Sequence, residues 1–284
     1  MRAGLELPPV LEPLRGRIEA ALAPAIVLSP AERDTNNRTR FGGAPLLGPG
    51  VEWPRSDRGP LSFLGQIDFR ELRGFGGDGL VLPTDGVLTF FYDVEEQPWG
   101  YDPSHASGWA LSYAPDSARA IDVETPHGAI PFDVEPLAPS SAQTLPWPGD
   151  LALRAFGTTP ERAPWAREYK AFVESFTFQH APLLAIGPGR QQIGGHAQWL
   201  DGDGRLTAEL ASSGIQAGSD RGRLSSNDLQ RAEVGAADWQ LLWQLEPRDD
   251  RFTWVEMGTL YVLLRKRDLA ARRFDRAWVV FQAG

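Results

Sequence analysis

The chain has 284 residues, no cysteine and a formal net charge of −9. Without cysteine there are no disulfides, iron–sulfur clusters, thiolate zinc sites or cysteine nucleophiles. So acidic a chain is a poor fit to sequence-independent nucleic-acid binding, which sets Lys and Arg against phosphate. The length allows one large domain or two small ones, with a core that needs no staples. No signal-like start and no apolar run of ~20 residues occurs, so a cytoplasmic protein with no membrane contact is expected.

In chain order, Leu11, Leu14, Ile18 and Leu22 recur at helical spacing between Pro9 and Pro24 and predict a first helix. The apolar stretch Ala20–Leu28 is broken by Pro24. Short runs of β-branched, aromatic and aliphatic residues then predict strands over Leu61–Asp68, Gly86–Asp93, Trp109–Ala114, Ala120–Glu124 and Ile130–Leu137. Trp165, Tyr169, Phe172 and Phe176 follow Pro164 at helical spacing and predict a second helix. Asp201-Gly-Asp203-Gly204 reads as a hairpin turn, lacking the further oxygen ligands of a calcium loop. A short helix is predicted over Ser226–Ala232, capped by Ser226 or Asn227. Strands over Trp239–Glu246, Gly258–Arg265 and Ala277–Gln282 close the chain, with a brief helix over Arg267–Phe274 between the last two. Many short strands and few helices imply a mainly β (α+β) fold with a roll or barrel-like body.

Three blocks occur twice in the same order. RFGGAP (Arg40–Pro45), FLGQIDF (Phe63–Phe69) and GVLTFFY (Gly86–Tyr92) are followed by QIGGHA (Gln192–Ala197), LLWQLE (Leu241–Glu246) and GTLYVLL (Gly258–Leu264). A unit this long implies duplication of a half-domain rather than a solenoid. The reading is a single domain over 1–284. Its first repeat covers about 36–137, a linker and helix about 138–180, and its second repeat about 181–284.

The repeated blocks supply the candidate site residues. Gln66 and Asp68 are strand neighbours two residues apart, as are Gln244 and Glu246. If the halves pair about a pseudo-twofold axis, these groups converge on a polar site. The alternative is that the glutamines bond turn backbone near the Gly-Gly loops while the acids face water. Gly42–Gly43 and Gly194–Gly195 supply positive φ or close backbone approach, or cradle a ligand, with Arg40 beside the first pair. His196, inside the second pair's block, is the histidine to watch, against a turn histidine bonding local backbone. Trp53 and Trp99 sit in loop-like sequence and suit binding, whereas Trp109, Trp239, Trp243 and Trp278 lie in apolar strands and suit the core.

Other patterns carry less. Gly74-Phe-Gly76-Gly77-Asp-Gly79 matches a dinucleotide fingerprint literally, but no helix follows it to receive a pyrophosphate. No Walker A loop, G-x-S-x-G elbow or helical zinc pair of histidines is present. No catalytic residue, metal site or cofactor is expected. Asp122/Glu124 and Asp133/Glu135 read as solvated strand faces. The run Arg265, Lys266, Arg267, Arg272, Arg273 and Arg276 reads as a solvated face or as a docking patch for an acidic partner.

RFGGAPLLGPGVEWP, PLSFLGQIDF, LPTDGVLTFFYD and WALSYAPD, with the second-half blocks and the closing RDLAARRFDRAWVVFQ, resemble the YwqG-like family of bacterial proteins from about residue 36 to 284. Two features depart from it: FTWVEMG (Phe252–Gly258) at an expected Trp-Gly-Asp type turn, and Trp243 at a position usually smaller. The resemblance implies a mainly β roll with internal duplication, and a place among candidate immunity proteins that neutralise bacterial toxins. The preferred expectation is therefore a non-enzymatic protein-binding module with a basic partner such as a toxin, toward which an acidic inhibitor is steered. A small-molecule or glycan binder using loop tryptophans and the Gln–acid pairs, and a hydrolase using dispersed carboxylates such as Asp68 and Glu246 with His196, are the alternatives.

Overall fold

A computed structural model describes residues 5–32, 35–156, 163–180, 190–218, 224–247 and 258–283. Its strands are β1 (Ala23–Pro30), β2 (Arg40–Phe41), β3 (Leu46–Leu47), β4 (Arg55–Ser56), β5 (Gly59–Pro60), β6 (Ser62–Asp68), β7 (Val87–Tyr92), β8 (Trp109–Ala114), β9 (Ile121–Asp122), β10 (Glu135–Thr144), β11 (Gln192–Gly194), β12 (Trp239–Leu245), β13 (Thr259–Arg265) and β14 (Trp278–Gln282). The α-helices among the described residues are α1 (Arg15–Ala20), α2 (Ala166–His180), α3 (Gly204–Ser212), α4 (Ser226–Ala236) and α5 (Lys266–Ala270).

Ten strands form one sheet in the order β14-β13-β12-β11-β1-β10-β2-β6-β7-β8. Every neighbouring pair is antiparallel. The order is a mirror about the central pair β1–β10: the first-half blocks run outward as β2-β6-β7-β8 and the second-half blocks as β11-β12-β13-β14. Even the irregularities match. Register shifts between Phe63 and Gly65 in β6 and between Leu241 and Trp243 in β12, the same distance before Gln66 and Gln244.

The sheet curls into a nearly closed barrel. Its edge strands, β8 and β14, meet through side chains. Trp109 and Trp278 pack edge to face at 5.1 Å, and the Trp109 indole N–H donates to the Ala277 carbonyl at 3.3 Å. The turn Phe274–Arg276 lies against this seam, with the Phe274 ring 4.8 Å from Tyr113. Inside the barrel, Trp243 stacks on Phe41 at 5.9 Å and reaches Phe90 at 6.4 Å, so a second-half side chain fills the centre of the first half. A second core lies beside β10, where the turn Pro9–Leu14 and α1 pack Leu11, Leu14 and Ile18 against Leu153, Phe156 and the α2 residues Tyr169, Val173 and Phe176.

Several elements differ from expectation, among them a first helix split into a 3-10 turn, Pro9–Leu14, and α1, and a last helix that ends at Ala270. Ala25–Leu28, read as an apolar stretch broken by Pro24, is the middle of β1: Ile26 and Leu28 face the barrel core while Ala25 and Val27 pack on Ala142. The strand predicted over Ile130–Leu137 starts only at Glu135 and runs on to Thr144, so the segment read as a linker from 138 begins inside a central strand. The strand predicted over Ala120–Glu124 shrinks to Ile121–Asp122. Asp201–Gly204 is no hairpin: Asp203 caps α3 by accepting from the Arg205 N–H at 2.8 Å. The cap of α4 is Ser225, one residue before the expected positions.

Candidate functional site

The two Gly-Gly loops are held by the same device. Gln66 is fully buried; its Oε1 accepts from the Leu46 N–H at 2.9 Å and its Nε2 donates to the Arg38 carbonyl at 2.7 Å. Gln244, also fully buried, accepts from the Gln198 N–H at 3.0 Å and donates to the Arg190 carbonyl at 3.5 Å. Leu46 and Gln198 each lie four residues after the first glycine of a pair, and Arg38 and Arg190 four residues before it. Each amide thus staples the two ends of one loop, satisfying backbone groups that water cannot reach.

The acids complete the clamp instead of facing water. Asp68 is 2% exposed; its Oδ2 lies 3.1 Å from the Arg38 Nε, and its Oδ1 accepts from the Ser117 hydroxyl at 2.8 Å. Glu246 holds the Arg190 guanidinium through two oxygens at 2.6 and 2.9 Å and accepts from the Arg190 N–H at 2.8 Å. Arg38 and Arg190 were not singled out from sequence, although an arginine four residues before each Gly-Gly was the available signal. The two Gln–acid pairs are therefore each spent within their own half.

The glycines are required by geometry. Gly42, Gly43, Gly194 and Gly195 have φ of 55°, 73°, 65° and 68°, the left-handed region. A Cβ on Gly42 would lie 2.2 Å from the Asp133 carbonyl oxygen, and one on Gly195 would lie 2.5 Å from the Thr144 hydroxyl.

His196 joins a buried ionic cluster absent from the sequence reading. Its Nε2 lies 2.8 Å from the Ala21 carbonyl oxygen and its Nδ1 3.6 Å from Asp150 Oδ2, so both ring nitrogens face acceptors. Asp150 is 2% exposed, pairs with Arg205 at 2.5 Å, and accepts from the Ala152 N–H at 2.7 Å and from the Trp199 indole at 3.4 Å. Arg205 also pairs with Asp203. Burial alone would raise the Asp150 pKa, but the His196 contact and the Arg205 charge outweigh it and hold the carboxyl at about 2. The cluster ties α1, the start of α3 and the second Gly-Gly loop together. Asp68, Glu246 and His196 each have their own ionic partner: Arg38, Arg190 and Asp150.

The tryptophans divide unevenly. Trp53 donates its indole N–H to the Leu61 carbonyl at 2.8 Å and packs on Phe91. Trp99 rests on Phe281 at 4.9 Å and is 43% exposed. The turn whose sequence departs from the resembled pattern, Phe252–Met257, lies outside the described residues.

A segment of the first half packs across the first Gly-Gly loop. The segment from Ile121 to Glu135 crosses it: the Gly43 N–H donates to the Phe132 carbonyl at 2.9 Å, the Val123 N–H to the Pro45 carbonyl at 3.0 Å, and Arg40 reaches Asp122 at 3.3 Å. This strap carries the exposed apolar residues Ile121, Ile130 and Val134 and the exposed carboxylates Asp122, Glu124 and Asp133. Among the described residues, no group of three or more side chains is placed to hold a metal ion, and no helix is long and apolar enough to cross a membrane.

No curated protein matches the chain. One family profile matches residues 39–283, which takes in both Gly-Gly loops, the second clamp, all of the first clamp but Arg38, and every strand from β2 to β14. The chain therefore belongs to the family described as a domain of unknown function, DUF1963.

Proposed function

We propose that the protein is a non-enzymatic protein-binding module that takes a basic partner on the strap 121–135. The observation that carries this reading is the alternation of exposed Ile121, Ile130 and Val134 with exposed Asp122, Glu124 and Asp133 on a segment pinned to the rigid barrel by Arg40, Gly42 and Gly43. Apolar anchors set among like charges favour a partner that is basic and presents apolar side chains. The net charge of −9 adds long-range steering toward such a partner. Within DUF1963, the finer assignment to a YwqG-like group and an immunity-type role against a toxin agree with this reading; their support is the motif resemblance.

The test is a charge reversal. Wild-type protein and the triple variant Asp122→Lys, Glu124→Lys, Asp133→Lys are each used to capture partners from cells of the source organism. The expected outcome is one stoichiometric basic protein, retained by the wild type and released by the folded variant. A partner retained equally by both, or one that is acidic, removes the strap from consideration.

A further inference from the structure

The barrel's open seam leaves a groove on the opposite kind of surface. β8 and β14 are not hydrogen-bonded to each other, and the gap between them is filled by aromatic rings. Over this gap lies a cavity of about 350 Å³ lined by Trp109, Leu111, Phe274 and Trp278, with Asp275 also on its wall. Beside it lies a second cavity of about 480 Å³, walled by Arg265, Arg267, Arg273 and Arg276 and by Asp268, over Trp239. Ser212, the last residue of α3, and Arg276 line both, so the two are one continuous groove. Its size is that of small-molecule sites, commonly ~300–1,000 Å³.

The arginines fall into two pairs with different jobs. Arg265 is anchored: it pairs with Glu209 at 2.7 Å and lies 4.5 Å from the Trp239 ring centroid. Arg273 is held by the buried Asp268. Arg267 and Arg276 are 69% and 68% exposed in their side chains, and their nearest carboxylates, Asp238 and Asp275, stand off at 3.9 and 3.5 Å. Guanidinium forks so poised bind carboxylate or phosphate oxygens in bidentate fashion. The aromatic end offers flat apolar surface on Trp109, Phe274 and Trp278, with Ser212, Asp275 and Arg276 as its polar side chains.

We propose that this groove binds a small organic anion: an acidic head, phosphate or carboxylate, at Arg267 and Arg276, and an aromatic or aliphatic body on the seam beside Trp109, Phe274 and Trp278. The proposal concerns a different surface from the strap and stands or falls separately from it. At the seam the outer edge of β14 is covered by the segment 99–100, where the Phe281 N–H donates to the Trp99 carbonyl at 3.1 Å, and by the aromatic rings beside it.

Isothermal titration calorimetry at low salt, with 2-naphthyl phosphate, 2-naphthol and inorganic phosphate as probes, tests it. The expected result is that 2-naphthyl phosphate binds at least about tenfold more tightly than either part alone. Ser212→Glu, which sets a carboxylate where the two cavities join, weakens 2-naphthyl phosphate about tenfold or more, while Ser212→Ala leaves it unchanged. Arg276→Gln weakens 2-naphthyl phosphate but not 2-naphthol. Since Ser212 and Arg276 are exposed, circular dichroism of these variants is expected to match the wild type. Equal affinity for 2-naphthol and 2-naphthyl phosphate, insensitivity to Ser212→Glu, or no binding heat from any probe would overturn the proposal.

Discussion

Gly65 and Trp243 stand at matching positions, each one residue before the glutamine of its block. They also meet across the barrel: a Cβ on Gly65 would lie 3.1 Å from the far edge of the Trp243 ring, 2.7 Å from Phe41 and 3.0 Å from the Arg40 carbonyl. A large ring in one half therefore requires no side chain in the other. Gly65→Ala is expected to destabilise by about 1–3 kcal/mol through overpacking, and to cost less when Trp243→Leu is already present; urea melts of the four-member cycle measure this. The glutamine clamps predict a second loss. Gln66→Leu and Gln244→Leu each strand a buried amide N–H and a carbonyl, and each is expected to cost about 1–3 kcal/mol in the same assay. Asp150 predicts the pH response. Its folded pKa of about 2 lies below its ordinary value of 3.8, so its stabilising contribution is fully present above pH ~4 and is lost as pH falls toward 2. The amount is about 2 kcal/mol, and Asp150→Asn is expected to lose this component of the pH dependence in denaturant melts between pH 2 and 6. The polar character of Gln66, Asp68, Gln244 and Glu246 was legible in the blocks. Their use as staples was not, because their partners are backbone groups and arginines up to 56 residues away.

At the scale of elements, the sequence reading found β6, β7, β8, β12, β13, β14 and α2 nearly in place, since the strands are aromatic or aliphatic runs mostly bounded by Gly, Pro or Asp and α2 carries apolar residues at helical spacing. It missed β1 because Pro24, which lies inside the strand, reads as a break in the apolar stretch Ala20–Leu28. It missed the second half of β10, Ala138–Thr144, because Pro, Ser and Ala carry little strand signal and the segment is held by pairing with β1. Helix α3 had a signal that a two-glycine turn hid: Asp203 as cap, then Leu206 and Leu210 one turn apart and buried. The α4 cap gives a clean test of boundary. The Ser225 hydroxyl accepts from the Asp228 N–H at 3.2 Å and bonds the Asp228 carboxylate at 2.6 Å. Ser225→Ala is expected to cost about 1 kcal/mol in thermal or urea melts, while Asn227→Ala, whose residue lies inside the helix, changes stability by a few tenths of that.

At the scale of the whole molecule, the central strand is the critical one. β1 joins the halves, pairing with β10 on one side and β11 on the other. Yet it lies before residue 39, where the family match begins. Deleting residues 1–31 removes this strand and α1, which anchors His196 through Ala21. The expected outcome is loss of the cooperative transition seen by tryptophan fluorescence and circular dichroism, whereas a protein truncated only before Pro8 retains it. In the full chain both probes should follow one transition, because Trp243 and the Trp109–Trp278 seam place second-half rings in first-half packing.

Composition, strand-like runs and the repeated blocks by themselves determined a mainly β, duplicated body, since hydrophobic period and turn residues are local properties of the chain. The tertiary structure alone decided what the polar residues do. Sequence shows which side chains offer an amide or a carboxylate, but only the fold sets which buried backbone groups need them, and here those needs consume both Gln–acid pairs. Likewise, the run of arginines near the C-terminus is only a charged stretch until the curled sheet sets it beside the aromatic seam. Proximity between residues more than a hundred positions apart, such as Trp109 and Trp278, follows from how the sheet curls, which no local pattern encodes.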